Sequence, residues 1–373
     1  MTTATDSIPL VDLRYQYEVV RDAVDAAIRA TLDTSAYIGG TAVHEFERSF
    51  AQYCGVTDCV GVANGTDAIE LALRAVGIGH GDRVALPTNT FVATAEAVVR
   101  AGAEPVLVDC DPEHLLMSPA HLASVVRRHT PRAIVPVHLY GQIAPMPEIL
   151  DIANTYGCVV IEDAAQAQGA LHRNVGMGGW GLIAATSFYP GKNLGAFGDA
   201  GAVTTCNPDL AAKVRLLANH GSSVRYRHDI VGMNSRLDTI QANVLNEKLR
   251  YLDAWNHMRA TAADFYTRAL RGAEQVRTPL VAPGNEHVWH LYVIQVDERD
   301  RALASLQREG IGAAVHYPIP LHLQPAFASL GHRVGDFPNA EAAAARILSL
   351  PMFPGITTDQ QSRVVDAVLR AVR

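Results

Sequence analysis

The chain is short of lysine: of its 31 basic residues only Lys192, Lys213 and Lys248 are lysines. Other absences bound the function more directly. No run of 18 apolar residues occurs, so no transmembrane helix is expected. No basic block occurs and the net charge is −7, which argues against nucleic acid and a polybasic membrane patch as partners. The five cysteines (Cys54, Cys59, Cys110, Cys158, Cys206) are odd in number and form no CxxC, so a disulfide framework is not expected. The stretch "MTTATDSIPLVDLRYQY" has no basic segment followed by an apolar one, so a secretory leader is not expected and the chain reads as cytoplasmic. A Walker loop is missing because no GK[ST] occurs, and no GxGxxG joins a strand to a helix. The nearest glycine pattern, "GIGHGD" at 77–82, precedes a strand and reads as a turn. A nicotinamide dehydrogenase is therefore a distant alternative. No His/Cys/carboxylate spacing matches a known metal site.

What is present suits a large core. The 373 residues are 49% apolar and 18% charged, and the length suggests about two domains. Short apolar runs alternate with helical patterns. The strands "DCVGVA", "DRVALP", "EPVLVD", "RAIVPVHL" and "VVIEDA" alternate with the helices "TDAIELALRAVG", "TFVATAEAVVRAG", "SPAHLASVVRRH" and "MPEILDIANTYG". Ser118 is placed as an N-cap with Pro119 at the first helical position. This βαβ alternation with continuous apolar strands predicts an α/β fold whose mostly parallel sheet has helices on both faces. Near residue 235 a long helical pattern begins, through "RLDTIQANVLNEKLRYLDAWNHMRATAADFYTRALRG". A smaller unit follows, with a strand "VWHLYVIQV", a helix "RDRALASLQREG" and helices near 338–349 and 358–372. The expected partition is a large α/β domain over 1–245, including the N-terminal segment, and a linking helix with a small C-terminal α/β domain over 246–373.

Three constellations carry chemistry. In "VANGTDAIELAL", a strand ends, Asn64-Gly65 turns the chain and Thr66 opens a helix, whose free N–H groups suit an anion. An ordinary turn with a threonine cap is the competing reading. In "VVIEDAAQAQGA", Asp163 stands at the carboxyl end of a buried strand, the edge where open α/β sheets bind ligands. A carboxylate there needs a cationic or hydrogen-bonding partner, and a pyridinium N–H would serve; an N-cap aspartate or a metal ligand is the alternative. Third is "SFYPGKNLGAFGDAGA", where Lys192 sits among glycine, alanine and aromatic residues with Asp199 the one other charge. Arginine serves as this chain's ordinary surface cation, and lysine can lose its proton and act as a nucleophile where arginine cannot. Desolvation would lower the pKa of Lys192, as an imine with a carbonyl requires. Ser187, five residues earlier, could donate to a phosphate. Phosphate turn, strand-end aspartate and Ser-x4-Lys in that order fit a pyridoxal phosphate site. Lys213 and Lys248 lie in helix-period segments and read as solvated.

The motifs "NGTDAIELAL", "IEDAAQAQGA", "SFYPGKNLGAFGDAGAVTT", "GMNSRLDTIQANVL", "HYPIPLHLQPAF" and "LPMFP" resemble, over nearly the whole chain, those of the DegT/StrS family of sugar aminotransferases. These are fold-type-I pyridoxal phosphate (PLP) enzymes acting on nucleotide-linked keto sugars. The resemblance implies that Lys192 is the Schiff-base lysine and Asp163 the partner of the pyridine nitrogen. It places Gly65, Thr66 and Ser187 around the phosphate, with a backbone N–H of Asp67 beside them. Gln166 would lie close to the ring and Phe91 would stack on it, although Phe91 read alone suits a helix's core face. Asn234 would reach the phosphate of a neighbouring subunit, which implies an obligate homodimer. Tyr189 and, from the partner chain, His316 and Tyr317 would meet the nucleotide sugar. Arg225 or Arg227, in the basic segment 219–229 read as a mobile loop, would meet its diphosphate, and Arg236 the donor's carboxylate; a solvated loop is the alternative for that segment. The implied reaction is ping-pong transfer of an amino group from L-glutamate to a keto sugar. The family's dehydratase branch replaces the lysine by histidine, so Lys192 favours transamination; a regulatory protein that keeps only the fold is the alternative from another class. "PVHLYGQ" with the lysine motif is most similar to members acting on dTDP-3-keto-6-deoxyhexoses, with 4-keto substrates as the alternative.

Overall fold

A computed structural model describes residues 7–373. Its centre is a seven-stranded sheet in the order Asp58–Val62, Gly201–Thr205, Ile183–Ser187, Val159–Asp163, Ala133–Ile134, Arg83–Pro87, Glu104–Val108. The five strands from Ile183–Ser187 to Glu104–Val108 are mutually parallel. Gly201–Thr205 runs antiparallel to both its neighbours. Successive side chains of a strand point to opposite faces. Along Arg83–Pro87, Val84 and Leu86 enter one apolar core while Ala85 enters the other. That two-sided burial is why these strands read as unbroken apolar runs. The run "RAIVPVHL" is a continuous strand over Ala133–Ile134; Pro136 has no N–H to give the ladder, and pairing resumes at the bridge from Val137 to Asp163.

The second sheet is small and antiparallel: Val276–Arg277, Tyr292–Val296 and Ile347–Leu350. The helix expected to reach residue 349 ends at Arg346. Ile347, Leu348 and Leu350 instead pair with Tyr292–Gln295 and are buried, so tertiary pairing overrides a helical pattern. The long pattern after residue 235 divides into helices Thr239–Leu249 and Leu252–Ala269. The N-terminal segment departs from the expected partition: Ile8 bridges Ile311 and is buried in the small unit's core beside Tyr292 and Leu348. The segment 219–229 holds a hairpin, Ser222–Val224 with Arg227–His228, where a mobile loop was expected. Among the described residues no helix is long and apolar enough to cross a membrane.

Candidate active site

Register brings the key groups to one sheet edge. Gly201 pairs with both Val62 and Ser187, so the end of strand Asp58–Val62, the end of Ile183–Ser187 and the start of Gly201–Thr205 meet there. Asp163 ends the next strand. A cavity of about 520 Å³ opens at this edge, lined among others by Gly65, Thr66, Phe91, Asp163, Ser187 and Lys192.

Asn64 caps the helix Gly65–Ala75, its Oδ1 accepting from the N–H of Asp67 at 2.8 Å. The amides of Gly65 and Thr66 precede Ala68, the first intrahelical donor, and so have no partner within the helix. The expected contribution of Asp67 is corrected here: its N–H belongs to the cap, and its buried carboxylate pairs with Arg100. Helix start and strand end are pressed together. A Cβ on Gly65 would lie 2.6 Å from the Cβ of Ser187, and one on Gly201 would lie 2.5 Å from the carbonyl carbon of Asn64. Only glycine permits that approach, which sets the Ser187 hydroxyl beside the helix N-terminus.

Asp163 is buried. Its Oδ2 accepts from Thr94 Oγ1 at 2.7 Å and its Oδ1 from the N–H of Ala165 at 3.2 Å. Burial pushes its pKa up, while Thr94, Ala165, Lys192 and His138 pull the other way. Lys192 sits at the corner of a turn whose N–H donates to the carbonyl of Tyr189 at 2.8 Å. Burial draws its pKa down to about 8, and the charge of Asp163 opposes that. A fraction of this amine is therefore unprotonated near neutral pH, as a nucleophile must be.

The wall opposite is aromatic. Phe91, N-cap of the helix Val92–Arg100, is 49% exposed and not a core residue; its ring lies 5.3 Å from that of Tyr317. Gln166 accepts from the N–H of Tyr140 and donates to the Tyr317 hydroxyl at 3.2 Å. Tyr189 is 59% exposed at the mouth. His316 and Tyr317, expected from the partner chain, line the cavity of their own chain. The reason is local. Ala314 bridges Ser349, His316 Nδ1 contacts Ser349 Oγ at 2.8 Å, and the Tyr140 hydroxyl donates to the His316 carbonyl. Burial, aided by the charge of Lys192, holds His316 near pKa 4, hence neutral. Asn234, Arg225 and Arg236 are not brought to this cavity. Asn234 is exposed and bridges Asn219, Arg236 Nη1 donates to Asn219 Oδ1, and Arg225 lies over the Tyr226 ring in the hairpin.

Among the cavity groups that sequence reasoning missed are Thr94, His290 and the pair Leu10–Val11. Thr94 had a signal, being one turn after Thr90 in "TNTFVAT" on a face otherwise apolar. His290 Nδ1 meets Asn193 Oδ1 at 3.2 Å, next in sequence to Lys192, and burial with the nearby Lys192 keeps it uncharged. Leu10 and Val11 come from the segment that packs on the small unit, which no local pattern marks. Lys248 is corrected outright. Expected on a solvated face, it is 1% exposed and its Nζ donates to the carbonyl of Gly195 at 2.7 Å. Lys213 is exposed, as read. Among the described residues no cluster of three His, Cys, Asp or Glu could hold a metal.

The assembled groups are a nucleophilic amine, a buried carboxylate, an anion cradle and an aromatic wall, which together suit a flat phosphorylated cationic ring. Known proteins agree. The profile of the DegT/DnrJ/EryC1/StrS aminotransferase family matches residues 19–369. A dTDP-3-amino-3,4,6-trideoxy-alpha-D-glucose transaminase from Streptomyces venezuelae is 43% identical over 364 residues, covering 98% of this chain and 96% of that one. The crystal structure of S. venezuelae DesV in complex with a ketimine intermediate matches with a TM-score of 0.96 at 43% identity, covering 99% of this chain and 100% of that one. That of NtdA from Bacillus subtilis with bound cofactor PMP matches with a TM-score of 0.91 at 30% identity, covering 100% of this chain and 86% of that one. The chain belongs to the DegT/DnrJ/EryC1/StrS aminotransferase family.

Proposed function

We propose that the chain transfers an amino group from L-glutamate to a dTDP-linked 3-keto-6-deoxyhexose with pyridoxal 5′-phosphate as cofactor. The observation that carries the reading is that Lys192 and Asp163 line one cavity together with the Gly65–Thr66–Ser187 cradle. The cradle fits a phosphate: the helix N-terminus at Gly65 and Thr66 lines the cavity together with Ser187, an approach so close that a Cβ at position 65 would lie 2.6 Å from Ser187 Cβ. When bound, the cofactor supplies an electron sink for the carbanion formed at the amino-bearing carbon. Asp163 would hold the proton on its ring nitrogen: burial raises the pKa of this carboxyl, and the hydrogen bonds from Thr94 and Ala165 oppose that by favouring the carboxylate. Phe91 and Gln166, which line the same cavity, would orient the ring. Nζ of Lys192 takes the proton from Cα of the donor and returns one to the sugar carbon that receives nitrogen. Tyr189, His316 and Tyr317 lie where the sugar would enter.

A homodimer accounts for the residues left outside. Asn234, Arg225 and Arg236 are exposed beside the exposed apolar Val224, Tyr226 and Val231, which suits a face covered by a second copy. There Asn234 would reach the partner's phosphate. Mixing Lys192→Ala with Asn234→Ala subunits would then restore activity, since each hybrid dimer has one intact site. Substrate is decided by incubating the enzyme and glutamate with 3-keto and 4-keto dTDP-hexoses and locating the new amine by NMR. Amination at carbon 3 is expected; turnover of the 4-keto sugars alone would overturn that assignment.

A further inference from the structure

Lys248 has no use in the reaction above, and a buried ammonium without a counter-charge is costly. Among the described residues it has no carboxylate partner. Its Nζ meets the carbonyl of Gly195 at 2.7 Å and the face of the Phe197 ring at 4.7 Å. Burial draws its pKa to about 8. A leucine or methionine would fill the same space without that penalty, so the contact to Gly195 needs a reason.

We propose that Lys248 is a positioning residue that clamps the turn presenting Lys192, by fixing the carbonyl of Gly195. The turn is closed on itself: a Cβ on Gly195 would lie 2.3 Å from the carbonyl oxygen of Pro190. Lys192 stands between these two contacting residues. The N–H of Lys192 donates to Tyr189 and that of Ala196 to Phe188, each at 2.8 Å. Holding Gly195 therefore holds the stem of Lys192. The same helix grips the turn twice. Gln241, two helical turns before Lys248 and on the same face, accepts the N–H of Phe197 at 2.8 Å. From the other side Asn193 donates to Asn256 Oδ1 and to the Val288 carbonyl, both at 2.8 Å. Leu194 and Ala196 bury the turn in the core, and Lys248 adds a charge-assisted bond from outside, stronger than a neutral one.

The inference rests on Lys192 being the reacting amine, but its test reads the turn directly. In the holoenzyme, Lys248→Met keeps length and removes the donor. Amide hydrogen exchange at Lys192–Phe197 should rise about 10-fold, while Gly201–Thr205 keeps wild-type protection. Turnover should fall about 10- to 100-fold with KM for both substrates within about twofold, as misplacing a catalytic group by about 1 Å does. Wild-type exchange in the turn with wild-type kcat would overturn the proposal. Wild-type activity of Lys192→Ala would instead overturn the proposed reaction and leave the exchange result standing. Should Lys248→Met fail to fold, Lys248→Leu, which also removes the donor, decides by the same two readings.

Discussion

Gly65→Ala tests the phosphate cradle with the least disturbance elsewhere. The added methyl would lie 2.6 Å from Ser187 Cβ and 3.3 Å from its Cα. Non-bonded carbons settle near about 3.5–4.0 Å, so helix start and strand end must part by about 1 Å. Overpacking of this kind costs about 1–3 kcal/mol of stability. The same displacement carries the amides of Gly65 and Thr66 away from Ser187, and at least one donor falls out of hydrogen-bonding range of a bound phosphate. A hydrogen bond to a charged group is worth about 1.5–3 kcal/mol, which corresponds to about 10- to 100-fold in affinity. The assay is a spectrophotometric titration of the apoprotein with pyridoxal phosphate and, in parallel, with unphosphorylated pyridoxal. Binding of the phosphate ester should weaken by that factor and binding of pyridoxal should hold. Equal weakening of both would refute the cradle, as would a variant that binds pyridoxal phosphate like the wild type.

Three other outcomes follow from neighbouring groups. Thr94→Val removes the hydroxyl 2.7 Å from Asp163 Oδ2; the Asp163 pKa should rise further and kcat fall about 10-fold, with the acid limb of the pH–rate profile moving up. Glu162, next to Asp163, should behave oppositely. It is buried and accepts from the amides of Gly178, Trp180 and Gly181 while meeting His138 Nε2 at 2.8 Å. Glu162→Leu should lower stability by about 3–5 kcal/mol in denaturant titration, because four partners lose their acceptor. The third concerns pH. The amine of Lys192 titrates near 8 in the fold against an ordinary 10.5. From pH 8 to 10.5 the unfolded chain holds a proton that the folded chain has released, so stability attributable to this group rises with pH there. Below pH 8 both states are protonated and the full penalty of the buried charge is felt. The rate of imine formation with an added aldehyde should rise with a midpoint near pH 8; a midpoint near 10.5 would contradict burial as the cause.

Much of this was legible in the sequence because the sheet is buried on both faces. Continuous apolar runs marked its strands, and the few lysines singled out Lys192. Asp163 could be placed because a charge ending such a run must stand at the sheet edge. What escaped depended on contacts distant in sequence. Ile347–Leu350 continues a helical pattern, and only Tyr292–Gln295 makes it a strand. Lys248 has the spacing of a surface lysine, and the carbonyl that satisfies it lies 53 residues earlier. Nothing local assigns His316 and Tyr317 to their own subunit's cavity; the bridge from Ala314 to Ser349 does. Asp67 lost its expected role to a neighbour, since Asn64 took its amide as a cap.

The central claim is that the amine at position 192 bonds covalently to the cofactor. The direct measurement is borohydride reduction of the protein saturated with pyridoxal phosphate, followed by peptide mass spectrometry. The account predicts one pyridoxyl adduct, on Lys192, with Lys213 and Lys248 unmodified. A stoichiometric adduct on either of those, or none on Lys192, would contradict it.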